Sequence, residues 1–228
     1  MTHIVSTGTD MDAFRDAVTA WAAGGPGGPD GPGGPDGGAR ELAARLPVRT
    51  VVLLEGPSDA AAVDALAGAR GRDLAAEGVC VLPMGGAMSV GRFARLLGPA
   101  GLGLRLTGLC DERERPYYAR ALDGTGASFH VCAADLEDEL IRVLGAARVT
   151  GLIRDEGEVR ALETFLRQPA QQGRAPEQQL RRFLGTKKGR KIHYGRVLVE
   201  ALAPDHVPAP LDALFADLPA PGLRTLRS

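Results

Sequence analysis

VRTVVLLE (48–55) is a short, β-branched apolar run that predicts a buried strand ending on an acid. PSDAAAVDALAG (57–68) predicts a helix with Pro57 at its first position. The alternation then repeats. Strands are expected over 78–84, 104–110 and 128–133, and helices over 89–98, 116–122 and 135–145. Strands that alternate with helices pair in parallel and carry helices on both faces. The expected fold is therefore α/β, with a mainly parallel four-stranded sheet. Beyond residue 150 the pattern predicts only helices, over 154–167, 177–184, 188–203 and 210–218. Ile192, Val199 and Leu202 form the apolar stripe of the third of these.

Ahead of the core, Met11, Phe14, Val18 and Trp21 share one helical face behind Thr9 and Asp10 as candidate N-caps. GGPGGPDGPGGPDGG (24–38) follows, has little to bury, and reads as a flexible linker. The expected organisation is an N-terminal amphipathic helix (1–23), the linker (24–38), an α/β core (39–150) and a helical C-terminal extension (151–228). The first helix is expected to be loosely tethered, and either packs back on the main domain or serves a partner.

Composition narrows the function classes. With 228 residues, 44% hydrophobic and 24% charged, the chain is neither wholly disordered nor too short for a sizeable core. No charge-free apolar run reaches the roughly 18 residues of a membrane span. No basic region followed by an apolar one marks a leader. Cys80, Cys110 and Cys132 are odd in number and far apart, so they suggest neither a disulfide framework nor a zinc site. A reducing cytoplasm is expected, with no membrane partner. A net charge of −1 excludes a globally basic nucleic-acid binder, but not a local basic patch.

In open α/β sheets, ligands bind beyond the carboxyl ends of the strands. Those ends carry Glu55 and Asp59, then Gly85 and Gly86, then Asp111, Glu112 and Glu114, then Asp135 and Glu137. Carboxylates crowd together only when something compensates their charge, and Mg²⁺ does so through oxygen ligands. The plainer reading makes Asp59 and Asp135 helix-start residues, where any acid is favoured. Glu55 and Asp111 have no such capping duty.

RRFLGTKKGRKIHYGR (181–196) has no acid and holds every lysine of the chain, Lys187, Lys188 and Lys191. The usual fate of a charge run is a solvated face. The functional reading places Arg182, Lys187, Lys188 and Arg190 on a phosphate backbone and brings Lys191 into the site against transition-state charge. GTKKGRK lacks the spacing of a phosphate-binding P-loop.

VVLLEGPSDAAAVDAL resembles the first motif of TOPRIM domains. GVCVLPMGGAMSVGRFARLL, LTGLCD, FHVCAADLEDELIRVLG and GRKIHYGRVLVEAL follow in the order seen in the overcoming-lysogenization-defect (OLD) family. The resemblance, over about residues 48–218, implies a Mg²⁺- or Mn²⁺-dependent nuclease acting on DNA. It implies Glu55, Asp59 and Asp111 around one metal, Asp135 or Glu137 at a second, and Lys191 as the catalytic lysine. Arg113 replaces the usual second acid, and Glu114, in preference to Glu112, is expected to substitute for it. The short stand-alone form lacks the family's ATPase domain, so an ATPase or other protein in trans is a candidate partner. Two other readings stay open. One is a non-catalytic scaffold that binds nucleic acid or a protein. The other is a phospho-acceptor signalling domain.

Overall fold

The computed structural model of the chain describes residues 7–24 and 37–220. Most of the expected linker, residues 25–36, lies outside the described residues. Two helices precede the sheet, α1 (Thr7–Ala22) and α2 (Gly37–Arg45). The core then runs β1 (Thr50–Leu54), α3 (Pro57–Ala69), β2 (Val79–Pro83), α4 (Val90–Leu97), β3 (Arg105–Asp111), α5 (Arg115–Leu122), β4 (His130–Cys132) and α6 (Leu136–Leu144). Five helices follow: α7 (Ala146–Asp155), α8 (Val159–Leu166), α9 (Pro176–Leu184), α10 (Lys188–Glu200) and α11 (Ala209–Asp217).

The sheet has the order β2-β1-β3-β4 and is parallel throughout. Its register explains the two layers. Val51 stands beside Cys80 and Leu53 beside Leu82, and these side chains enter one core with Phe93, Leu97 and Tyr118 of α4 and α5. Val52, beside Val81, and Leu54 enter the opposite core with Val63 of α3, Leu140 of α6 and Tyr194 of α10. Both faces are covered, so β1 and β2 read as nearly continuous apolar runs rather than alternating.

α10 lies against α3 at close range. A β-carbon on Gly195 would stand 2.6 Å from the Ser58 carbonyl oxygen, so only glycine allows that approach. The C-terminal helices thus share one core with the sheet.

Four local expectations are revised. α1 is not loosely held: Met11, Phe14, Val18 and Trp21 are all buried in the core that contains α4. α2 and α7 were not anticipated. α2 is mostly Gly, Ala and Arg, with a weak apolar stripe. α7 starts at once after Gly145, with no polar spacer to announce it. The single helix over 154–167 is two helices, parted at Gly157, whose φ of 75° favours glycine. The buried face of α10 runs through Arg190, Tyr194, Val197 and Leu198, whereas Ile192 and Leu202 are only half-buried.

Candidate metal centre

β1 and β3 deliver their acids side by side because their register aligns Leu54 with Leu109. Glu55 follows the end of β1, and Asp111 ends β3. Glu114 arrives on the turn into α5, which the Asp111 carbonyl fixes by accepting the Glu114 N–H at 2.9 Å. Glu55, Asp111 and Glu114 each offer a carboxylate oxygen, and these oxygens lie within 4.8 Å of one another. Arg113 is exposed beside them, so the acid after it completes the group. Tyr118 ties the two strands' acids together. Its hydroxyl donates to the Leu53 carbonyl at 3.3 Å, and its ring lies over Gly108, where a β-carbon would meet it at 2.9 Å.

The Gly85-Gly86 turn closes the near side. Gly86 N–H donates to the Glu55 carbonyl at 3.0 Å, and the φ values of 74° and 131° favour glycine at both positions. Beyond that turn Met88 is 81% exposed. Tyr117, one turn after Glu114, is 45% exposed. Both are large exposed side chains on segments that adjoin the acids in sequence, and the sequence pattern did not single them out.

No ion pair among the described residues compensates Glu55, Asp111 or Glu114. Burial pushes Asp111 up to about 8, helped by the charges of Asp135, Glu114, Asp59 and Glu55. Burial also lifts Glu114 to about 7, together with the adjacent Glu55 carboxyl. Glu114 Oε2 is buried without a donor. Three oxygens that converge, repel and lack donors suit a hard cation.

The other expected acids form a second group. Asp59 turns back to its own helix start, where it accepts the Gly56 N–H at 3.1 Å. Burial, then the Glu137 charge, pushes it up to about 7. Glu137 is buried, and Lys191 Nζ stands 3.2 Å from its Oε2, close enough for an ion pair but not aligned for a hydrogen bond. Burial works against the Lys191 charge, but Glu137 and Asp59 outweigh it and hold the ammonium above its usual pKa. Asp135 caps α6 through the Asp138 N–H and is paired with Arg181 at 2.7 Å. Asp135, Glu137, Arg181, Arg182, Gly185 and Lys191 line a cleft of about 420 Å³.

Of the expected phosphate contacts, Arg182 is exposed and lines this cleft, and Lys187 is exposed just before α10. Lys188 opens α10. Arg190 leaves the set: it is 8% exposed, grips both Glu158 oxygens at 2.8–3.1 Å, and lies 4.1 Å from the centre of the Phe183 ring. Its place on the face of Tyr194 makes it a structural arginine. Arg181, which the sequence left undistinguished from its basic neighbours, pairs with Asp135 at the cleft.

Among the described residues, no helix is long and apolar enough to cross a membrane. No curated protein sequence matches the chain. Solved structures with this fold include the C-terminal region of the Burkholderia pseudomallei OLD protein. It is 19% identical, with a TM-score of 0.57, over 74% of this chain and 96% of that one. The C-terminal region of the Xanthomonas campestris pv. campestris OLD protein, phased with mercury, is 24% identical with a TM-score of 0.56, over 74% of this chain and 93% of that one. The family model described as overcoming lysogenization defect protein-like, TOPRIM domain, matches residues 48–112. That segment holds β1, the Gly-Gly turn and β3, the elements that assemble Glu55 and Asp111, so the part of the chain that matches the OLD-like TOPRIM domain is the part that brings these acids together.

Proposed function

We propose that the chain is a divalent-metal-dependent nuclease that hydrolyses phosphodiester bonds of DNA. The observation that carries this reading is the uncompensated cluster of Glu55, Asp111 and Glu114 at the carboxyl edge of the sheet. These three carboxylates hold Mg²⁺ or Mn²⁺. The ion, when bound, supplies an activated water and neutralises charge on a phosphoryl oxygen.

The protein's own groups do the rest. Arg182 and Lys187 position the phosphate backbone along the cleft. Lys191, drawn from α10 toward the acids, donates to a non-bridging oxygen as charge builds in the transition state. Met88 and Tyr117 give exposed faces on which a base beside the cut can stack.

Lys191→Ala is expected to lower the DNA cleavage rate about a hundredfold under saturating Mn²⁺, because a preorganised charge donor is removed. Its DNA affinity, measured in Ca²⁺, should change little. Lys187→Ala should do the reverse, weakening binding and flattening its salt dependence. Wild-type cutting rates for Lys191→Ala would refute the assignment.

The pairing of the second acid group limits the metal count. Arg181 occupies Asp135, and Lys191 occupies Glu137, so one tight Mn²⁺ per chain is expected. Arg181→Ala frees Asp135 and should add a second, weaker ion. Electron paramagnetic resonance of free Mn²⁺ during titration reads both values. Two equally tight ions in the wild type would contradict this.

The same pairs favour one rival, a scaffold that binds DNA without cutting it. That reading prevails if the wild type binds DNA in Ca²⁺ but leaves it intact in both Mg²⁺ and Mn²⁺.

A further inference from the structure

At the far end of α4 from the acids lies a pocket of about 200 Å³, lined by Trp21, Arg40, Arg92, Arg95, Leu96 and Gly101, with Ala100 at its rim. Its walls come from α1, α2 and α4, and two of these helices precede the TOPRIM segment. α4 starts at the Gly-Gly turn beside Glu55 and runs back along the sheet, so Arg95 and Gly101 sit at the opposite sheet edge.

The chemistry of the lining is one-sided. Among the described residues, three arginines and no carboxylate line the space. Among the described residues, Arg40, Arg92 and Arg95 make no ion pair. Arg92 donates to the Ala22 carbonyl at the end of α1, which anchors it without neutralising it. Trp21 is 4% exposed, and its indole N–H has no acceptor among the described residues. A tryptophan N–H buried to this degree ordinarily has an acceptor. Among the described residues, the pocket therefore offers donors of two kinds and no acceptor side chain. Its complement is a compact anion rich in acceptor oxygens. Arginine forks match the oxygens of a phosphoryl group in pairs. The volume is below that of pockets that enclose whole drug-sized ligands, and it suits a single such group with its substituent outside.

We propose that this pocket is a phosphate-binding site, separate from the metal centre and built by the N-terminal helices on the back of the sheet. The phosphoryl group comes either from a free mononucleotide or from a nucleic-acid backbone that extends past the cleft.

Trp21 is the only tryptophan of the chain, so its fluorescence reports on this pocket alone. Titration is done in EDTA, which removes metal-dependent phosphate binding at the acids. The probes are inorganic phosphate, a deoxynucleoside 5′-monophosphate and a short DNA duplex, each against chloride at equal ionic strength. Saturable change with phosphate or the mononucleotide indicates a free ligand. Change with the duplex alone indicates the backbone. In either case Arg40→Ala with Arg95→Ala should weaken binding about tenfold or more, as loss of charged hydrogen bonds does. Arg40→Lys with Arg95→Lys should retain part of it, which controls for folding. Glu55→Gln should bind as the wild type does, so failure of the nuclease reading leaves this result untouched. No fluorescence change beyond chloride with any probe overturns the proposal. So does equal binding by the double alanine variant.

Discussion

On the nuclease reading proposed above, Glu55→Gln is expected to abolish cleavage and, with metal stripped away, to melt at a higher temperature than the wild type. The two effects have one cause. Glu55, Asp111 and Glu114 repel one another in the ion-free protein, and among the described residues none of them is ion-paired; Lys191 offsets Glu114 only from a distance. Removing one charge relieves about 1 kcal/mol after solvent screening, which raises the melting temperature by about 2–4 °C in a chain of this size. Mn²⁺ then reverses the order. At a hundred times its dissociation constant a bound ion adds about 2.7 kcal/mol to the wild type, and the variant, lacking one ligand, gains far less. Thermal melts in EDTA and in Mn²⁺ test this. A variant less stable than the wild type in EDTA, with an equal response to Mn²⁺, would show that the cluster holds no ion.

Burial of acids at this sheet edge, aided by neighbouring charges, sets a pH dependence. Asp59 and Asp111 have folded-state pKa values of about 7 and 8, above the ordinary carboxylate range of an unfolded chain. Between about pH 4 and pH 8 the folded state therefore binds more protons than the unfolded one. Stability contributed by these groups is present below the unfolded value and is lost as pH rises through the folded value. The ion-free protein should accordingly be more stable at pH 5.5 than at pH 8, provided the Glu55→Gln comparison is run at one pH.

Deleting residues 1–24 is expected to prevent the remainder from folding stably. The deletion removes Met11, Phe14, Val18 and Trp21, each 4% exposed or less, and bares the α4 side of the sheet. Burying one large apolar side chain contributes about 1.5–3 kcal/mol, so four contribute about 6–12. A whole domain has only about 5–15 to lose. Circular dichroism melts of the truncated chain test this. A cooperative transition within about 5 °C of the wild type would mean that α1 is dispensable after all. Phe14→Ala, a milder probe, should cost about 3–5 kcal/mol.

The α/β core was legible because its physics is local. A β-branched run such as Val51–Leu54 has few alternatives to a buried strand, and an acid directly after it has no duty within the strand. Glu55 and Asp111 were readable for that reason, and Glu114 by its place after Arg113. Contacts made across long stretches of chain were not readable. Nothing near Arg190 announces that Glu158 and Phe183 will enclose it, so it looked like one more cation in a basic run. Nothing near Asp135 announces Arg181. The apolar face of α1 was visible, but not its destination on α4, because the intervening glycines and prolines carry no pattern. α2 and α7 escaped for want of a strong apolar stripe or a polar spacer.

Gly195 gives the lysine its reach. α10 rests on the Ser58 carbonyl with no room for a methyl group, one turn along from Lys191, while Ser58 neighbours Asp59. The gap between the lysine and the acids is therefore gauged by a backbone-to-backbone contact, not by the flexible side chains that span it. A single added carbon at residue 195 would act as a shim, lifting the whole helix and carrying the ammonium away from Glu137 without touching any charged group.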